Sequence, residues 1–201
     1  STEKEKTMKA HKASFTKTLF IKVAAATTVL TVLLATSAFA NAYVSDELAG
    51  FKIAVINGSA GSAEIVSGDY PKGLKTIGDS YSPKANTSYA WEYEFGLCAA
   101  NLKMKKLAKA EHACSRAITT MPRQIKHTRQ GKYLHAIALS NRGIVRYIAN
   151  DIRGALADFN RAQAIDNNSI VTQNLTQLTT SLAISNKLAR EQALAAASHA
   201  E

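Results

Sequence analysis

From Tyr133 to Asn168 the chain reads YLHAIALSNRGIVRYIANDIRGALADFNRAQAIDNN. Apolar side chains recur there at intervals of three and four, the period of a helix with one buried face, and the pattern breaks at Asn150-Asp151. The stretch therefore predicts two helices joined by a tight turn. Gly143 sits on the first helix, where a small residue lets a neighbour approach. Ala155, Phe159 and Ala162 follow 12, 16 and 19 residues later on the second.

These residues resemble the tetratricopeptide repeat, in the variant that reads N-R-G on its first helix and A-x-x-D-[FY]-x-x-A on its second. Asn141, Arg142, Gly143, Ala155, Asp158, Phe159 and Ala162 carry the likeness; Asn167 stands where the family usually has proline. The resemblance implies an all-α fold, a tandem array of antiparallel helix hairpins closed by a C-terminal capping helix. It also implies that Arg142 and Asp158 face each other across the hairpin as a structural ion pair.

The same spacing recurs upstream. With Cys98 at the small-residue position, Ala110, Cys114, Ala117 and Pro122 lie 12, 16, 19 and 24 residues on. The two anchors are 45 residues apart rather than the family's 34, which points to an insertion at Arg123–Lys132 that lengthens the helices or forms a loop. A fainter copy keeps the spacing at Gly61, Gly73, Ile77 and Ser80, with a short first helix because Asn57, Gly58 and Gly61 are poor helix residues. Downstream, Ser169 can cap a helix running to about Ala197, with Ile170, Leu175, Leu178 and Leu182 on its apolar stripe, which covers the open end of the array. The expected organisation is residues 1–40 as extension and signal peptide and 41–60 as an irregular segment. Residues 61–185 form the repeat domain (61–85 degenerate, 91–122, 134–167, cap 169–185), and 186–201 a fraying helical tail.

In such a repeat the positions of Cys98 and Cys114 touch, so the resemblance implies a disulfide that staples one hairpin to itself; two buried thiols packing as small hydrophobes are the alternative. Export would favour the disulfide. The first 40 residues suit export: Lys9, Lys12, Lys17 and Lys22 precede and flank an uncharged run from Val23 to Phe39, and Ala38-Phe39-Ala40 offers a cleavage site before Asn41. An uncleaved membrane anchor is the other reading. A periplasmic or secreted location follows from cleavage near Ala40.

No constellation of side chains recommends catalysis, a cofactor or a metal. His112, His127 and His135 have no metal-ligand spacing, and Gly58–Ser62 lacks both the Gly-Lys-Ser/Thr of a phosphate loop and the flanking glycines of a nucleophile elbow. Glu92 and Glu94 read as local helix stabilisers. Charge is more distinctive. Six lysines lie in residues 1–40 with Glu3 and Glu5, which leaves 19 basic and 13 acidic side chains beyond, a net of about +6. Lys103, Lys105, Lys106, Lys109, Arg116, Arg123, Lys126, Arg129 and Lys132 stand against Glu111 alone. That stretch is either a solvated helical face or an electrostatic site for an acidic protein or an anionic membrane surface; no nucleic-acid reader motif accompanies it.

The family resemblance implies a scaffold that takes a protein or peptide partner in a concave groove lined by the first helices. Its expected lining is Phe95, Ala99, Leu102, Ser140, Ile144 and Tyr147; Lys103, Lys106 and Lys109 of the basic stretch are further candidates for partner binding. Ile144 and Tyr147 could instead be covered by the terminal helix, and a homodimer could cover so short a groove.

Overall fold

The computed structural model describes residues 48–81 and 90–198, and within them the chain is all-helical, with eight helices and no strand. They are α1 (Ser62–Ser67), α2 (Tyr70–Ser80), α3 (Ala90–Lys103), α4 (Leu107–Thr120), α5 (Arg123–Lys126), α6 (Arg129–Ile148), α7 (Ile152–Ile165) and α8 (Ser169–Ser198). The expected signal segment lies outside the described residues, as do residues 82–85 of the faint copy. No helix among the described residues is long and apolar enough to cross a membrane.

Three antiparallel hairpins, α1/α2, α3/α4 and α6/α7, are built around the same turn. Gly68, Lys105 and Asn150 each adopt positive φ (92°, 56° and 64°), each seven residues after Gly61, Cys98 or Gly143. The next amide reaches back five residues in every case: Asp69 to the Glu64 carbonyl, Lys106 to Asn101, and Asp151 to Arg146. This closure satisfies carbonyls that the helix end would otherwise leave unpaired. Asp69 and Asp151 then cap the second helix, accepting from the Lys72 and Gly154 amides.

The helices of each hairpin meet at the small residues. A methyl group on Gly143 would lie 2.9 Å from the Phe159 ring, and one on Gly61 would lie 2.8 Å from the Ile77 side chain. In the middle hairpin Cys98 and Cys114 occupy the equivalent pair, with their sulfurs 2.07 Å apart. Ala110, Ala117, Ala155 and Ala162 are wholly buried along these seams, and Pro122 precedes α5.

The hairpins stack because each second helix also packs on the next first helix: α2 on α3, α4 on α6, and α7 on α8. Residues 123–132 become the single turn α5 and the first turn of α6, which Thr128 caps through the Gly131 amide. Helix α8 covers the end of the array with Val171, Asn174 and Leu178; its cap is Asn168, whose Oδ1 accepts from the Val171 amide, and not the expected Ser169, which is already helical, and the helix continues to Ser198 with its last turns exposed.

Candidate peptide-binding groove

The first helices α1, α3, α6 and α8 lie side by side, and an extended run of the chain itself crosses them. Phe51–Ile56 has no helical structure and packs into the core of the array. It begins at α8, where Gln177 Nε2 donates to the Ala49 carbonyl, passes over α6, and approaches α3 near Gly96 before entering α1.

Two asparagines hold its backbone. Asn141 of α6 accepts from the Ala54 amide and donates to the Ala54 carbonyl, both at 2.9 Å. Asn174 of α8 treats Lys52 the same way, at 2.7 and 2.9 Å, and its Nδ2 also donates to Ser140 Oγ. The chemistry explains the residue type. In an extended chain the N–H and C=O of one residue point the same way, and a carboxamide presents one acceptor and one donor on a matching edge. The groups of residues two apart face the same side. Asn141 and Asn174 therefore replace the neighbouring strand of a sheet, two rungs of a ladder presented by helices. They read backbone, so they impose no side-chain sequence. The rung is missing on α3, because Gly96 occupies the position two before Cys98 that Asn141 occupies before Gly143. There the segment turns instead, with the Ser59 amide bonded to the Ile56 carbonyl.

Side chains of the segment supply the apolar part. Phe51 is 7% exposed, with its ring 5.5 Å from Tyr147 and 6.4 Å from Phe159. Ala54 is buried, and Ile53, Val55 and Ile56 are half-buried against the helices.

The open groove expected from the sequence is thus corrected. Phe95, Ala99, Leu102, Ser140 and Ile144 are fully buried, and Tyr147 is half-buried beneath Phe51. These side chains form the floor under the chain's own segment and offer no free surface to a partner. Lys103, Lys106 and Lys109 are exposed around the α3–α4 turn, away from the asparagines. The irregular segment 41–60 contains the extended piece that the sequence reading did not anticipate. Its signal was there: a run of Phe, Ile and Val closed by Asn57-Gly58, and an asparagine inside the buried stripe of α6.

The buried carboxylates Asp158 and Glu94 are paired. Arg142 grips Asp158 with two hydrogen bonds, at 2.8 and 2.7 Å, and reaches Ser115 of α4 at 3.1 Å. Arg146 spans the same gap, 2.9 Å from Asp158 and 3.0 Å from Glu111. Asp158 is 3% exposed, so two guanidinium groups share a carboxylate that water barely reaches. Hydrogen bonding to Asp158 raises the Arg142 pKa further. The sequence reading missed the bridge from Arg146 to Glu111, which ties the α6/α7 hairpin to α4. Glu94, buried on α3, accepts from Arg116 on α4. The basic stretch is therefore no single face: Arg116 is neutralised by Glu94, Lys126 donates to the Ile118 carbonyl, Lys103, Lys106 and Lys109 lie around the α3–α4 turn, and Arg123 and Lys132 line a cleft with Lys126.

Among the described residues no three His, Cys, Asp or Glu side chains gather as a metal site. Comparison of the chain with protein-family models, with curated proteins and with solved structures finds no match to any of them.

Proposed function

We propose that the chain is an exported scaffold of the tetratricopeptide type, with no catalytic role, that engages a protein or peptide partner by holding an extended backbone across its first helices, and that its own residues 49–56 are the resident occupant. The observation that carries this reading is the pair of bidentate clamps, Asn141 on Ala54 and Asn174 on Lys52. The repeat assignment is supported by three hairpins sharing one turn geometry at one spacing. Export is supported by the 1–40 sequence and by two cysteines at bonding distance. A tethered occupant competes at an effective concentration in the millimolar range, so an outside peptide enters only when the tethered one is weakened.

That competition supplies the test. A labelled peptide spanning residues 48–57 is added to the native chain, to Phe51→Ala, and to Phe51→Ala with Asn141→Ala. The native chain is expected to take up none, Phe51→Ala to bind it saturably, and the double variant to lose that binding. No uptake by Phe51→Ala, or uptake indifferent to Asn141, overturns the reading.

A further inference from the structure

Helix α5, the start of α6 and the end of α7 border an open cleft of about 580 Å³ lined by Arg123, Lys126, His127, Lys132 and His135, with Ala164 and Ile165. Every ionisable group in that lining is basic. Arg161 on α7 adds its charge, acting on both Lys126 and His135. The contrast with the rest of the molecule is sharp. Arg116, Arg142 and Arg146 each have a carboxylate partner, whereas Arg123, Lys126, Lys132 and Arg161 form no ion pair among the described residues. Lys126 is also partly desolvated, held in place by its bond to the Ile118 carbonyl. Beneath it His135 is 8% exposed, and its Nε2 has no hydrogen-bond partner.

Converging like charges beside a half-dry wall repel one another, and the repulsion is costly unless an anion is present. We propose that this cleft binds a phosphate group, either of a soluble phosphate or of a lipid headgroup. A phosphate carries up to two charges on oxygens directed to several sides, which suits cations arriving from α5, α6 and α7; a carboxylate would answer fewer of them. The cleft is also large enough for the organic part of a phosphomonoester or headgroup.

His135 reports on occupancy. Burial, then Lys126 of α5, Arg161 of α7 and Arg142 of its own helix, hold its pKa down to about 4. Arg142 is itself offset by Asp158, and among the described residues no carboxylate bears directly on the imidazole. A bound anion reverses the sign of the local field and raises the pKa. By linkage, phosphate binds more tightly as pH falls toward the raised value.

The test follows the His135 ring by NMR, assigned with His135→Gln, while inorganic phosphate is added to the full chain at ionic strength matched with chloride. A saturable rise of about one pKa unit or more is expected. Arg123→Gln with Lys132→Gln alters two exposed side chains and should weaken it at least tenfold, with helix content unchanged. Vesicles distinguish the source. Binding to phosphatidylglycerol but not phosphatidylcholine, lost in the double variant, assigns a lipid headgroup; a phosphate response without vesicle binding assigns a soluble ligand. The proposal is overturned if phosphate does no more than chloride and vesicle binding is absent or indifferent to the double variant.

Discussion

Replacing Asn141 by alanine should cost the fold about 2–5 kcal/mol. The carboxamide is wholly buried, and its two bonds are the ones that pair the Ala54 N–H and C=O. Without it both backbone groups remain away from water, at about 1–3 kcal/mol each, and the better helix propensity of alanine returns roughly 0.5 kcal/mol. In urea, with a slope of about 2 kcal/mol per molar, the unfolding midpoint should fall by roughly 1–2.5 M. Asn141→Asp sharpens the argument. At neutral pH its carboxylate still accepts from the Ala54 amide but faces the Ala54 carbonyl, so it should be at least as damaging as alanine. Protonated, the carboxyl regains one donor and one acceptor on the same edge. This raises its folded pKa above the ordinary value near 4, so its deficit relative to native chain grows as pH rises from about 4 and shrinks below it. Denaturation of the three proteins between pH 3 and 7, the range implied by that carboxylate pKa, is the assay. A loss under about 1 kcal/mol for Asn141→Ala, or an Asp variant with no acid recovery, would refute the ladder as a stabilising contact.

Asp158→Ala takes from Arg142 its carboxylate and leaves Arg146 with Glu111 alone, and denaturant unfolding should show a loss of about 3–5 kcal/mol; a cost near that of a surface pair would mean the network is not structural. Lowering the pH should destabilise the native chain through His135, since a base whose folded pKa is depressed to about 4 contributes stability above its unfolded value of 6.5 that is lost as pH falls from there. His135→Gln should flatten that part of a stability-versus-pH curve, and an unchanged curve would contradict it. Reducing Cys98–Cys114, which closes a loop with a sequence separation of 16, should lower stability by about 3 kcal/mol, read from unfolding with and without reductant.

The hairpins were legible in the sequence because their signals are local. Gly143 and Phe159 belong to helices joined by one short turn, and a periodic pattern over 36 residues exposes both helices and the break between them. Cys98 and Cys114 could be matched to those positions by spacing alone. The groove was not legible in the same way. Asn141 meets Ala54 across 87 residues and Asn174 meets Lys52 across 122, and no periodicity records such pairings. The repeat resemblance places Phe95, Leu102 and Ser140 on the exposed side of the first helices, as groove lining, and the structure buries all three. Such a resemblance cannot show that the same chain covers them. The physical hint lay in polarity: Asn141, Asn174 and Ser140 interrupt stripes that should be apolar, and each is wholly buried because each has a hydrogen-bond partner. Charge was misleading for a related reason. Arg116 and Glu94 lie 22 residues apart on different helices, so a run of basic residues in the sequence became one neutralised arginine, one anchored lysine and one cationic cleft.

The central claim, that residues 49–56 fill the groove as a strand held from one side, is tested most directly by amide hydrogen exchange read residue by residue. The Lys52 and Ala54 amides should be protected to nearly the level of α6, while those of Ile53 and Val55, which have no hydrogen-bond partner among the described residues, exchange much faster. Protection that alternates in this way is the predicted result. Uniformly fast exchange from Phe51 to Ile56 would contradict it.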